Sequence, residues 1–341
     1  MIALNIYDVA KAAGVSTATV SRVMNGKPDV KPETRRKVLK VIKAMNFKPR
    51  VGRTELDTIA IFAPMDQVRL SYSTYFSDLV LGISYTVCDY DLNLEVVSLR
   101  KMPKDPLDFA VFCRERRIRG GIFAMTQQTD RYVEELAKSG SFVVIGNHFG
   151  EDVPSVSTDN FGGAYKAAKY LVDIGHRRIG VIVTDIRYPD HKKRVEGYRQ
   201  ALTECGLSID DAHYIDTMGG DLSNADTEFR TRTMLSSSNR PTALLMTNTV
   251  VAADIVRIIH SMGMRIPEDI SVVAFDDDIL AVRLNPPLTT VRQPVFELGQ
   301  VAAREAIALS NGERTSEEVS VVLDTDLIVR GSTGPLQAAT A

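Results

Sequence analysis

The sequence predicts an all-α helix-turn-helix head followed by an α/β core of two similar lobes. Three observations carry this expectation. Before about residue 50, apolar residues recur at helical spacing in three short stretches. From Thr58 onward, short apolar runs alternate with amphipathic stretches, the pattern of a parallel sheet covered on both faces. That alternation runs through two successive series, which predicts two lobes. A chain of 341 residues also suits two or three domains.

In the head, Ile6, Val9, Ala10 and Ala13 lie on one face of a first helix. Gly14 and Val15 make a tight turn, and Ser16 is a good N-cap for a second helix beginning at Thr17. The inner face of that helix is Val20, Val23 and Met24, and Asn25-Gly26 ends it. A third helix spans about 32–45, with Pro32 in its first turn and Val38, Val41, Ile42 and Met45 toward the core. Two short helices joined by such a turn place the second in the major groove of duplex DNA. Thr17 and Ala18 are small enough for close approach to base edges, and Arg22 can fork onto a guanine. Ser16, Thr19, Ser21 and Asn25 are short donors suited to phosphates.

Charge supports the same reading. Residues 1–53 hold twelve Lys/Arg against three acids, a net +9. The whole chain is −2, so residues 54–341 carry −11. A basic head on an acidic body points to a polyanionic partner for the head alone. The alternative for a charge run is a solvated surface with no partner.

IYDVAKAAGVSTATVSRVMNG…VKPETRRKVLKVIKAMNFKP resembles the head of the lactose-repressor (LacI/GalR) family of transcription regulators nearly end to end. The resemblance implies that Thr17, Ala18 and Arg22 read bases, while Tyr7, Ser16, Ser21, Asn25 and Thr34 hold the DNA backbone. Family members continue after this point into a short Ala-Arg-x-Leu hinge helix that wedges a Leu into the minor groove. Here RVGRTELDTIAIF lacks the Ala-Arg pair, and Gly52 interrupts it. Gly costs a helix about 1 kcal/mol against Ala, and so short a helix is already marginal. The expectation is an abbreviated hinge, with Leu56 as the remaining wedge and Arg50 and Arg53 drawn to the minor groove. A plain tether is the alternative.

In the body, TIAIFAP, LNLEVVSL, GGIFAM and FVVIGN read as strands of one lobe, and RIGVIVT, AHYIDT, ALLMTN and ISVVAFDD as strands of the other. Helices are expected near 74–90, 105–117, 130–139, 161–174, 191–205, 225–236 and 250–262. DNFGGAYKAAKYL crosses between lobes, PPLTTVRQP crosses back, and a last strand near LDTDLIVRGS returns. The expected division is head 1–49, linker 50–57, first lobe 58–158 with 291–320, second lobe 159–290 with 321–331, and a flexible tail 332–341. Ligands of open parallel sheets sit at the carboxyl ends of the strands, and two facing lobes put those ends across a cleft. STDN…GA, GHRRIGVI, RVEGYRQAL, IPEDISVVAFDD, PPLTTVRQP and VRGST resemble the periplasmic-binding-protein-like core of the same family.

Candidate cleft residues stand at those strand ends. Arg194 heads a helix after RIGVIVT, and a guanidinium forks onto paired hydroxyls or a carboxylate. The resemblance puts a ligand arginine at this RxxGY position and a ligand carboxylate at Asp276. Asn248 ends ALLMTN, where Asn-Asp is usual and Asn248-Thr249 stands here. Asn147 and His148 end FVVIGN, where Asp-Arg is common. Tyr75 and Phe76 open the first body helix, one expected in the cleft and one buried. Tyr188 and Asp190 precede Arg194 and are further candidates.

No GxGxxG follows a strand, and no phosphate loop, HExxH, CxxC or GxSxG occurs. The five histidines and three cysteines show no ligand spacing. No catalytic residue, metal or cofactor is therefore assigned. No apolar run approaches the roughly 20 residues of a membrane span, and the first residues lack a signal-peptide pattern, so a cytoplasmic protein is expected. The expected function is a ligand-responsive repressor: a homodimer on a pseudo-palindromic double-stranded operator, with a sugar or its derivative as effector. A nucleoside or purine effector stays open. A nucleotide- or sugar-binding enzyme with a fused basic head is the alternative.

Overall fold

A computed structural model describes residues 6–24, 30–45, 57–64, 74–127, 129–146, 149–150, 152–218 and 225–336. The head contains α1 (Ile6–Ala13), α2 (Thr17–Met24) and α3 (Pro32–Ala44). Val9, Ala10, Ala13, Val20, Val23 and Val38 form its buried core, with Val15, Val41, Ile42 and Met45 half-buried around it. Fully burying one such Val is worth about 1.5–3 kcal/mol, which holds three short helices that could not persist alone. Gly14 takes φ +60, the left-handed conformation that lets the chain reverse between α1 and α2. Ser16 caps α2 as expected, its Oγ accepting from Thr19 N at 3.1 Å.

The body holds two six-stranded sheets. The first contains β1 (Thr58–Ala63), β2 (Asn93–Ser98), β3 (Ile118–Phe123), β4 (Phe142–Ile145), β5 (Ser155–Thr158) and β11 (Ser320–Leu323). Its order is β11-β5-β4-β3-β1-β2, parallel throughout. The second contains β6 (Ile179–Val183), β7 (Tyr214–Asp216), β8 (Ala243–Met246), β9 (Ser271–Phe275), β10 (Thr289–Arg292) and β12 (Asp326–Ile328). Its order is β12-β10-β9-β8-β6-β7, parallel except for the antiparallel edge pair β10–β12.

Helices cover both faces. Alternation along β1 divides its side chains: Ile59, Ile61 and Ala63 face one core with α4 (Thr74–Asp89) and α12 (Val295–Asn311). Ala60 and Phe62 face the other core, with α5 (Pro106–Glu115) and α6 (Tyr132–Ser139). In the second lobe α7 (Asn160–Asp173) and α8 (Pro189–Glu204) pack on one face. α10 (Thr249–Ser261) and α9 (Ala225–Ser236) pack on the other, next to the short α11 (Ile279–Arg283).

Three expectations about the crossings change. SVST is a strand, β5, although its small polar residues carry no apolar run; Ser155, Ser157 and Thr158 are buried between neighbouring strands instead. LTTVR forms β10 inside the second sheet before the chain crosses, because Thr289–Val291 pair with Val273–Phe275. The segment read as one returning strand is two: β11 pairs with β5 in the first sheet, and β12 with β10 in the second. The crossings therefore lie at 158–160, 292–295 and 323–326. Residues 332–336 of the expected flexible tail are held in place. Ser332 Oγ donates to Val272 O at 2.6 Å, and Leu336 N donates to Ile174 O at 3.2 Å.

Candidate ligand cleft and nucleic-acid interface

The cleft is built where α4 of the first lobe meets the loop after β9 of the second. Asp276 follows Phe275 with φ +74, a strained conformation for a residue with a side chain, fixed by its N–H donating to Val291 O at 2.9 Å. The strain turns Asp276 out of the sheet into a cavity of about 350 Å³. Tyr75 and Asp78 from α4 and Gln293 from the second crossing line the same cavity. Burial pushes the Asp276 carboxyl above its usual range, with Asp278 and Asp190 adding to the rise and Arg194 and Gln293 opposing it. Burial also raises the Tyr75 phenol, helped by Asp190 and Asp276 and opposed by Arg194, so it stays a neutral donor.

Arg194 lies behind this wall. Only 4% of it is exposed. Its Nε donates to Asn160 Oδ1 at 2.7 Å, and Nη1 donates to Thr247 O. Its Cζ sits 3.8 Å from the centre of the Phe275 ring, and Nη1 is 3.9 Å from Asp276 Oδ1. The close approach of α8 to α7 makes this possible: a Cβ on Gly197 would stand 2.3 Å from Phe161 O. Two of the guanidinium's donor atoms are thus committed within the protein.

The N-terminus of α8 carries Tyr188 as N-cap residue and Asp190 in its first turn. Tyr188 packs its ring 5.7 Å from that of His191. His191 Nδ1 bonds Asp185 O at 2.9 Å, which makes Nδ1 the protonated nitrogen because a carbonyl can only accept. Burial, with the Arg194 charge second, pushes His191 down to about 3, so the ring is neutral.

The structure brings Tyr75, Asp190, Arg194 and Asp276 into one electrostatic neighbourhood. Phe76 packs half-buried against the first-lobe core, while Tyr75, also in contact with that core, lines the cavity. Asn248 is used locally, its Oδ1 accepting from Val251 N at 2.9 Å to cap α10. Asn147 and His148 lie outside the described residues. Sequence reading missed Gln293, Asn160, Thr158, Asp278 and His191. PPLTTVRQP and STDN stand out in the sequence, but short amides and hydroxyls within them carry no spacing signal of their own.

In the head, Ser16, Ala18 and Arg22 are exposed, Thr17, Thr19, Ser21 and Thr34 half-buried, and Tyr7 is 71% exposed. Val20 and Val23 face inward. Asn25, Arg50, Arg53 and Leu56 lie outside the described residues, and the linker expectation with them. Among the described residues no cluster of His, Cys, Asp or Glu could hold a metal ion. No helix among them is long and apolar enough to cross a membrane.

Residues 5–50 match the profile of bacterial regulatory proteins of the lacI family, and residues 168–333 that of a periplasmic binding protein-like domain. The transcriptional regulator DegA of Bacillus subtilis (strain 168) is 32% identical, over 97% of this chain and 98% of its own. A CelR–cellobiose complex aligns with TM-score 0.71 at 28% identity, over 96% of this chain and 99% of that one. The Lac repressor dimer bound to operator and an anti-inducer aligns with TM-score 0.69 at 25% identity, over 97% and 99%. Helix-turn-helix helices joined to a two-lobed α/β core with parallel sheets match the solved LacI structures, and the chain belongs to the lacI family of bacterial regulatory proteins.

Proposed function

We propose that this transcription regulator is a homodimeric repressor whose two heads read the halves of a pseudo-palindromic operator, and whose cleft takes a sugar or sugar derivative. The observation that carries the reading is the division of labour within α2. Its apolar side builds the head core, while Ala18 near its start and Arg22 in its last turn are left exposed on the side that would meet the major groove. In this reading Tyr7, Ser16, Thr19, Ser21, Asn25 and Thr34 position the head on phosphates. Arg50, Arg53 and Leu56 then meet the minor groove.

Tyr75 and Asp276 are the groups offered to the effector, one a neutral donor and one a carboxylate acceptor, with Asp190 beside them. That pairing suits vicinal hydroxyls. The CelR neighbour is solved with cellobiose, which supports a sugar of that general class. Leu81, Tyr85, Val96 and Phe296 are exposed apolar residues of the first lobe, and Phe229, Ile279 and Val282 of the second. These side chains supply the faces for a homodimer, the form of the Lac repressor neighbour. The protein binds without turnover, and it acts in the cytoplasm, where its operator is.

Selection from randomised duplexes, followed by a thermal-shift screen of sugars, sugar phosphates and nucleosides, tests the reading. A specific ligand raises the melting temperature by mass action. The expected result is a palindromic consensus and a sugar-induced shift lost in Asp276→Ala, with the sugar recovered unchanged. No sequence preference would overturn the DNA role, and a shift by nucleosides alone would overturn the sugar.

A further inference from the structure

Five side chains form a ring in which four hydrogen bonds run one way from Arg194 to Asp276, and an ion pair between those two closes it. Arg194 Nε donates to Asn160 Oδ1 at 2.7 Å. Asn160 Nδ2 faces Thr158, 3.2 Å from its carbonyl and 3.4 Å from its Oγ1. Thr158 Oγ1 donates to Gln293 Oε1, and Gln293 Nε2 donates to Asp276 Oδ1. Asp276 Oδ1 and Arg194 Nη1 then face each other as an ion pair at 3.9 Å. The two ends dictate the polarity. A guanidinium has donors only, so Asn160 must turn its carbonyl to it. An ionised carboxylate has acceptors only, so Gln293 must turn its amide nitrogen to that end. One hydroxyl proton joins the two amides in the middle. Bonds aligned in this way polarise and strengthen one another, and every member is at most partly exposed.

The ring also has a place in the topology. Thr158 closes β5 in the first sheet, and Asn160 opens α7 in the second lobe. Gln293 lies between β10 of the second sheet and α12 of the first lobe. The ring therefore ties two of the three crossings together, with Arg194 and Asp276 as its charged poles.

We propose that this ring is a latch that sets the resting angle between the lobes, and that Asn160, Thr158 and Gln293 are positioning residues that carry the state of Asp276 to both crossings. With the latch closed, rotation about one crossing must break a bond held by the other. A ligand that takes up the free valence of Asp276 pulls on Gln293 and through it on Thr158. This last step rests on the cleft being the effector site; the latch itself does not.

The test uses the full chain without ligand. Spin labels at Glu115 and Asn239, exposed and one in each lobe, report the distance between lobes once Cys88 and Cys205 are replaced by Ser. The parent and Thr158→Ser, which keeps the hydroxyl, should give one narrow distance. Thr158→Val and Gln293→Met should lose it, and the double variant should be no broader than either single one. If a Gln293 variant does not fold, the Thr158→Val and Thr158→Ser pair decides. An unchanged distance in Thr158→Val, or additive broadening in the double variant, overturns the latch. A failed effector screen leaves this result standing, because no ligand enters the measurement.

Discussion

Thr249 Oγ1 donates to Asp278 Oδ2 at 2.7 Å, while the other oxygen of the same carboxylate caps α11 through Leu280 N at 2.9 Å. Thr249 stands where a carboxylate is usual after Asn in this family. A hydroxyl at this position turns a clash of like charges into a bond. Thr249→Asp should therefore destabilise the fold by about 1–3 kcal/mol at neutral pH. Two abutting carboxylates have folded pKa values above their unfolded ones, so the folded form holds the extra proton. The loss is full at neutral pH and shrinks as pH falls toward the carboxylate range. Urea denaturation at two pH values checks this: a deficit that grows on acidification would refute it.

His191 should make stability depend on acidity. Its folded pKa is near 3 against an ordinary 6.5, because burial and Arg194 disfavour the cation. A depressed base contributes stability that is complete above its unfolded value and is lost as pH falls through the interval down to the folded one. Between those limits the unfolded chain binds up to one more proton at this site. His191→Gln should flatten the slope of unfolding free energy against pH by up to that amount. An identical slope in parent and variant would place the ring in water.

Gly197→Ala should strike the cleft from a distance. The added methyl would stand 2.3 Å from Phe161 O, so α8 must move off α7. Overpacking of this kind costs about 1–3 kcal/mol. The movement lengthens the Arg194–Asn160 bond, so the ligand-induced thermal shift should fall more than in a core variant of equal stability, such as one at Leu136. Equal losses in the two would show that stability alone is at stake.

Arg22→Ala should cost about 1–3 kcal/mol on the selected operator and relax the preference at one base position per half-site. Titrations on single-base variants read this directly. A uniform loss across all sequences would assign Arg22 to phosphate instead.

How much was legible depended on whether a residue's role repeats along the chain. Val9, Val20 and Val38 announced the head through helical spacing, and Ile59, Ile61, Val181 and Val273 announced the sheets through apolar runs. Asp276 stood at a strand end, where a parallel sheet places its ligand groups, and Arg194 in the helix that follows another strand. β5 stayed hidden because Ser155, Ser157 and Thr158 bury small polar side chains that read as loop. Gln293, Asn160 and Thr158 stayed hidden for a different reason. Their partners lie up to 135 residues away, and only the folded crossings bring them within reach.

The interleaving of the two lobes has a consequence for biosynthesis. α12 and β11 belong to the first lobe yet are made after nearly all of the second, and β12 completes the second only afterwards. Neither half can shut its sheet while residues 295–328 are still inside the ribosome. Nascent chains stalled before residue 295 should stay open to proteases along both halves, with Leu79, Ile83 and their neighbours lacking the helix that covers them. The order in which the message is read therefore delays both compartments of this receptor to nearly the same moment.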